Sequence, residues 1–231
     1  MNHLVWSCIA LSATALGHST PQKYVSEAES RAVCERYYKN ISEAQTIHWF
    51  EIHRHEMEVL RSECWLVRPN HYRSDSVVTN SKGAIVDRGF MVMSQAIAYM
   101  VDQTGKTFSL FDRVPGSPFI NGMEAFLSKS KPKYFSMGKV REATFKGAKV
   151  YALETGEQSL PGSMVSVYIS PSTYLPLGWE YAFRGSTEFT TYSDIRLNES
   201  PTSVNFDWNP PKDYNLKSDL RRATLRSKFK D

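Results

Sequence analysis

Four residues in the first quarter of the chain are of types that bind metal ions: His48, His53, His55 and Glu56. His53 and His55 are two positions apart, so on a β-strand both side chains project from the same face. Such a pair binds a metal when a third ligand arrives from elsewhere in the fold. The residues around the pair are mostly charged, which is typical of a solvated strand face. We therefore predict no metal site.

The short motifs that mark common catalytic and nucleotide-binding sites are absent. The sequence contains no Gly-x-Gly-x-x-Gly, Gly-x-Ser-x-Gly, His-Glu-x-x-His or Cys-x-x-Cys. Gly105, Lys106 and Thr107 end like a phosphate-binding loop, but Met100 occupies the position of the required earlier glycine. We therefore predict no catalytic residues and no cofactor, although a site dispersed along the chain would escape this search.

Two of the three cysteines lie on apolar patterns. Cys34 belongs to a helical stripe, and Cys64 shares strand parity with Leu60 and Leu66. In an exported chain two such residues can pair, and a disulfide closing a loop of about 30 residues would contribute about 3–4 kcal/mol. The alternative is two buried thiols, and the sequence leaves both interpretations open.

The first seventeen residues have the pattern of a secretory signal peptide. An uncharged segment, LVWSCIALSATAL, covers residues 4–16 and is too short to span a bilayer comfortably. Ala15 and Gly17 place small residues at positions −3 and −1 relative to a cleavage after Gly17. We predict an exported protein that begins near His18 or Thr20, which removes Cys8. The alternative is an uncleaved N-terminal anchor.

Hydrophobic periodicity predicts one helix followed by many strands. The helix covers residues 25–44, and the turns after it indicate consecutive antiparallel hairpins without a βαβ crossover. The predicted strands are residues 46–56, 60–67, 72–79, 84–87, 96–102, 107–111, 139–145, 148–154, 164–169, 177–183, 188–193 and 203–208. In the first strand, alternation favours one antiparallel sheet with a single covered face. Residues 113–133 form a long connection rich in proline and glycine, as expected of a lid.

Charge is concentrated at the C-terminus. Residues 215–231 hold six basic and two acidic side chains, which equals the net charge of +4 for the whole chain. The rest is neutral overall, so we expect no nucleic-acid partner. We predict a single domain at residues 18–214 and a solvated basic tail at residues 215–231; the alternative for the tail is a membrane-surface helix.

Three stretches together resemble the outer-membrane lipoprotein carrier superfamily, the LolA-like proteins of bacteria. Residues 65–73 read WLVRPNHYR, similar to the family's link between early strands. Residues 168–176 contain YISPST and Leu-Pro, similar to its turn before an apolar strand. Residues 192–198 (YSDIRLN) and 206–211 (FDWNPP) resemble its closing strand and aromatic-x-aromatic-x-Pro-Pro ending. The order of the elements agrees with this family over residues 26–214.

The resemblance implies an α+β fold, mainly β with few helices. It is an incomplete antiparallel β-barrel meander wrapped around an N-terminal helix and a short central helical lid, with a hydrophobic cavity between sheet and helices. Such proteins carry or sense lipid. We therefore expect a periplasmic, monomeric, non-enzymatic carrier of lipid or of the acyl chains of lipoproteins. The alternatives are a sensor or scaffold of the same fold that binds an envelope protein, and a secreted enzyme.

The strand and the lid supply the candidate cavity residues. Alternation over residues 177–183 places large apolar side chains on one face, and the lid has a short apolar segment. The predicted lining is Leu177, Trp179, Tyr181, Phe183, Phe119, Met123, Phe126 and Leu127. Met91, Met93 and Met100 are further candidates, because methionine adapts to chains of different shape. For any single one of these residues, plain core packing is the favoured interpretation.

Overall fold

The computed structural model describes residues 23–55, 57–68, 71–94, 97–112, 139–156, 164–183 and 186–219. These residues form one helix, α1 (Glu27–Glu43), and twelve strands, so the predicted α+β class, mainly β, is confirmed. The strands are β1 (Thr46–His55), β2 (Glu58–Val67), β3 (His71–Asn80), β4 (Ile85–Ser94), β5 (Ile97–Asp102), β6 (Thr107–Asp112), β7 (Lys139–Phe145), β8 (Ala148–Gly156), β9 (Met164–Ile169), β10 (Pro176–Phe183), β11 (Ser186–Leu197) and β12 (Asn215–Asp219). The signal peptide and the lid lie outside the described residues.

The strands belong to one open sheet with the order β12-β6-β5-β4-β3-β2-β1-β11-β10-β9-β8-β7. The neighbours from β1 to β6 and from β7 to β11 pair antiparallel, as predicted for a meander. Strand β12 instead runs parallel to its partner, β6. The described helix has 17 residues and is neither long nor apolar enough to cross a membrane.

The chain divides into two compact units. The helical unit comprises Met1–Glu43 and Ile120–Tyr192, and contains α1 and β7 to β10. The sheet unit comprises Ala44–Phe119 and Ser193–Asp231, and contains β1 to β6 and β12. Strand β11 contributes residues to both units, so each is described separately below.

In the helical unit, α1 forms where the sequence combines an N-terminal cap with an apolar stripe. The Ser26 hydroxyl accepts a hydrogen bond from the Glu29 amide at 3.2 Å, which satisfies one of the free amides of the first turn. Val33, Tyr37 and Ile41 are buried at helical spacing, as predicted. The observed helix is three residues shorter than the predicted range 25–44.

A bulge interrupts β10 at its start. Pro176 pairs with Ile169 and Gly178 pairs with Tyr168, so Leu177 is the extra residue. A Cβ added at Gly178 would lie 2.4 Å from the Thr190 carbonyl oxygen, so only glycine fits against β11 here. The bulge changes the strand's alternation, because residues before and after it no longer share the predicted parity.

The sheet unit has two different faces. Side chains alternate along each strand, and we name the faces after the neighbouring residues His48 and Trp49 of β1. On the His48 face, a buried cluster on β4 to β6 packs against the C-terminal segment, residues 198–214, through Trp208 and Tyr214. The cluster consists of Phe90, Val92, Val101, Phe108 and Leu110. The prediction of a single covered face is therefore wrong for this unit, because side chains on both faces are buried.

Two predictions at the C-terminus also differ from the structure. Residues 203–208 are not a strand; they belong to the covering segment, in which Trp208 makes edge contacts with Phe90 and Phe108 at 5.5 and 5.6 Å between ring centroids. Asn215–Asp219, predicted as the start of a solvated tail, form β12 beside β6, and residues 220–231 lie outside the described residues. The Ser218 hydroxyl donates to the Ser109 hydroxyl at 2.8 Å across this pair.

Trp208→Ala is expected to lower the free energy of unfolding by about 3 kcal/mol, because it leaves a cavity over an apolar cluster. Urea unfolding followed by circular dichroism measures this loss. The matched control is Phe206→Ala, whose ring has a 5.7 Å edge contact with His71 and lies outside the cluster. The loss should be clearly smaller in the control, and equal losses would contradict the role assigned to Trp208.

Candidate functional site

The Trp49 face of the sheet unit is organised in rows that cross six strands. Residues paired across antiparallel strands lie opposite one another, so each row collects one side chain from each of β1 to β6. The first row is apolar or aromatic throughout and fully buried. It consists of Ile47, Leu66, Tyr72, Met93, Ala98 and Phe111.

The next two rows become progressively polar. The second row is mixed and consists of Trp49, Cys64, Ser74, Met91, Met100 and Ser109. The third row has no large apolar side chain and consists of Glu51, Ser62, Ser76, Gly89, Asp102 and Thr107. The first and third rows are four residues apart along a strand, about 13 Å. The face therefore changes from apolar to polar over the length of a short acyl segment.

Hydrogen bonds within the face satisfy several of its polar groups. The hydroxyls of Ser62 and Ser76 are 2.8 Å apart. The Trp49 indole Nε1 donates to Glu51 Oε2 at 3.4 Å, a long contact between neighbouring rows. Because buried polar groups need such partners, these contacts allow a polar row to exist beside an apolar one.

Cys64 and Tyr72 are held in their neutral forms. The Tyr72 hydroxyl donates to Cys64 Sγ at 3.9 Å, and both residues are buried. Burial raises the pKa of the Cys64 thiol well above its ordinary value, and the Glu51 carboxylate adds to this shift. Burial likewise raises the pKa of Tyr72. A thiol that stays protonated is a poor nucleophile, so this pair is better suited to a structural role in the face than to catalysis.

In the helical unit, Trp179 and Tyr181 share a face with the apolar residues of β9. Trp179 pairs with Val167, and Tyr181 pairs with Val165. Tyr151 lies on the same face and donates to Glu29 of α1 at 3.2 Å, which places the helix over this side of the strands. The Trp179 indole Nε1 is buried and has no hydrogen-bond partner among the described residues.

The structure places the candidate cavity residues Leu177 and Trp179 on opposite faces of the sheet, although sequence alternation had grouped them on one face. Trp179 and Tyr181 are together as predicted, but the bulge places Leu177 on the opposite face, against the cluster of Val150, Ala152 and Tyr168. The Phe183 side chain lies outside the described residues, as do the four lid candidates, Phe119, Met123, Phe126 and Leu127. A lining role for any of these eight residues stays a prediction.

The methionines proposed from sequence fall on the Trp49 face. Met91 and Met93 are on β4, and Met100 is on β5 directly opposite Met91. Met93 is buried, whereas Met91 and Met100 are half-buried. The polar members of the rows were not identified from sequence, although the alternation of Tyr72 and Ser74 on β3 carries the same signal.

The histidine cluster noted in the sequence is described only in part. His48 lies on the opposite face from His53, and His55 and Glu56 have no described side chains. The buried His48 ring stacks on Trp65 at 3.9 Å and lies 2.9 Å from Glu63 Oε1 and 2.8 Å from Glu199 Oε2. Among the described residues no cluster of His, Cys, Asp and Glu could hold a metal ion.

Comparison with known proteins identifies the fold. No protein-family model matches the chain, and no curated protein sequence matches it. A solved structure of an uncharacterized conserved protein from Thermus thermophilus is similar with a TM-score of 0.52 and 13% identity, covering 82% of this chain and 99% of that one. This similarity shows a shared fold.

Two further solved structures are similar at lower TM-scores. Lipoprotein LppX from Mycobacterium tuberculosis has a TM-score of 0.49 and 12% identity, covering 79% of this chain and 100% of that one. A LolA superfamily protein from Nitrosomonas europaea has a TM-score of 0.30 and 10% identity, covering 78% and 97%. A protein of the superfamily expected from the sequence is thus among the solved structures to which this chain is similar.

Cys64 is expected to resist alkylation in the native protein, because its thiol is buried and its pKa is raised. Cys8→Ser/Cys34→Ser leaves it as the single cysteine. Iodoacetamide at pH 8 should label this variant at least about tenfold faster in urea than in buffer. Equal rates would contradict the burial. The intact mass of unreduced wild-type protein, measured in parallel, tests the predicted pairing with Cys34.

Proposed function

We propose that the protein is an exported carrier that binds a lipid, or the acyl chains of a lipoprotein, with the Trp49 face as part of the binding surface. The gradient from an apolar first row to a polar third row is the observation that carries this proposal. A core that serves packing alone does not require such a gradient in polarity. An amphiphile matches it, because its chain and its head group differ in the same way.

The energetics favour a ligand with an acyl chain. Removing a chain from water yields about 0.8 kcal/mol per CH₂, so roughly ten methylene groups on the first two rows supply micromolar affinity. Met91 and Met100 are half-buried, and their flexible side chains pack against ligands of different shape.

The fold similarity agrees with this function but does not choose among its alternatives. A scaffold of the same fold that binds an envelope protein would also use exposed or half-buried apolar residues. Export, cleavage after residue 17 and a single functional domain over residues 18–214 belong to the same proposal. The binding experiment below separates carrier from scaffold, because a scaffold has no requirement for acyl chains.

Met91→Gln/Met100→Gln is expected to weaken binding of a fluorescent fatty-acid probe by about tenfold or more. Glutamine has nearly the same shape as methionine, but burying its amide against an acyl chain without a hydrogen bond costs about 1–3 kcal/mol. Titration of delipidated protein, followed by fluorescence, measures the dissociation constant. Circular dichroism establishes that the variant is folded.

The matched control is Ile97→Gln, a half-buried residue on the His48 face that packs against the Phe90 cluster. It should destabilise the fold and leave probe affinity unchanged. Folded wild-type protein that binds no acyl probe would remove the carrier function and leave the scaffold. Equal effects of the two variants on affinity would remove the Trp49 face as the binding surface.

A further inference from the structure

Two hairpin turns lie side by side at one end of the sheet unit, which we call the turn end. The first joins β1 to β2 and contains Met57; the second, residues 81–84, joins β3 to β4. Glu58 at the start of β2 pairs with Asn80 at the end of β3, which makes the two turns neighbours. Of the three rows of the Trp49 face, the third, polar row is the nearest to this end.

Apolar side chains are exposed at the turn end to an unusual degree. Met57 is 73% exposed, Ile85 is 51% exposed and Val86 is 40% exposed. They are three of the seven large hydrophobic residues exposed among the described residues, and they sit in or beside two adjacent turns. Single exposed apolar residues need no explanation, but a cluster at the tip of a domain indicates a contact surface.

A basic cleft lies directly beside these residues. It has a volume of about 460 Å³, and its lining includes Arg54, Met57, Arg61, Thr79 and Asn80. The described residues of the lining include two arginines, and none of them is acidic. Arg61 Nη1 donates to Thr79 Oγ1 at 3.1 Å, which fixes the guanidinium and leaves its other N–H groups for a ligand. Neither arginine forms an ion pair with any described carboxylate.

The described acidic residues near the turn end are compatible with a basic cleft. Glu58 is exposed and Asp87 is half-exposed, and neither lines the cleft. Asp87 Oδ1 already accepts the Arg88 amide at 2.7 Å. Lys82 is exposed in the second turn and adds a further positive charge.

We propose that the turn end docks on an anionic phospholipid surface. Arg54 and Arg61 bind a lipid phosphate in the cleft, because guanidinium groups match phosphate oxygens in charge and geometry. Met57, Ile85 and Val86 enter the boundary between head groups and acyl chains, where exposed apolar side chains are stabilised. Both the charge and the apolar contribution are needed, since either one alone gives weak association.

The orientation of a bound amphiphile links docking to the proposed function. This link rests on the proposed function. A bound amphiphile with its head group at the third row would present that head group toward the docked end. The carrier would then meet a membrane with the polar end of its ligand first. Docking itself depends only on the cleft and the exposed turn residues, so the two proposals fail separately.

Co-sedimentation with vesicles tests the docking. Full-length wild-type protein in about 150 mM salt should bind vesicles of roughly 30% phosphatidylglycerol in phosphatidylcholine at least about tenfold more than pure phosphatidylcholine vesicles. Arg54→Gln/Arg61→Gln and, separately, Met57→Ser/Ile85→Ser should each reduce binding about tenfold. The basic C-terminal tail is the same in every variant, so it does not account for a difference between them.

Matched controls are Lys146→Gln/Lys149→Gln, which removes two exposed charges from the hairpin of β7 and β8, and Met164→Ser, which removes another exposed methionine. Both should bind like wild type. Docking is overturned if wild type does not prefer anionic vesicles, or if the controls lose as much binding as the turn-end variants. The turn-end variants should keep wild-type affinity for the acyl probe. If the wild-type protein binds vesicles but does not bind the acyl probe, the carrier function is contradicted and the docking surface is retained.

Discussion

Strand register is the constraint on which the rest of the sheet unit depends. Side chains alternate with a period of two, so a slip of one residue in β1 to β6 would exchange the two faces completely. The observed register places the Phe90 cluster on the His48 face and the graded rows on the Trp49 face. A register shifted by one residue would place the cluster on the Trp49 face and the graded rows on the His48 face.

The C-terminal segment holds this register from the His48 face. Trp208 covers the apolar cluster, and polar contacts attach the segment on both sides of it: His48 to Glu199, Arg73 Nη1 to the Asn205 carbonyl at 2.8 Å, and Lys106 to Asp213. Because these contacts are specific to one face, they favour the register that places the graded rows on the Trp49 face. Buried side chains on both faces contribute to stability.

Local patterns in the sequence predict the helix and most of the strands well. They predict features that depend on contacts between elements much less well. The stripe of Val33, Tyr37 and Ile41 predicts α1, and Lys146–Gly147 predicts the turn between β7 and β8, where both residues adopt positive φ. The bulge at Leu177 depends on the close approach of Gly178 to Thr190 of another strand, which no local pattern encodes. Residues 203–208 alternate like a strand but pack by their aromatic rings, and β12 exists only because β6 offers an edge. The graded rows depend on pairing across six strands, so single strands reveal only pieces of them.

The central claim is that the folded protein holds an amphiphile whose chain lies on the apolar rows. Native mass spectrometry of protein purified without detergent from an exporting host tests this claim most directly. The account predicts a species heavier than the polypeptide by the mass of a lipid, which is released intact on collisional activation, and a loss of this species in Met91→Gln/Met100→Gln but not in Ile97→Gln. Protein that carries only its polypeptide mass, and that stays so after incubation with membrane lipid extract, would contradict it.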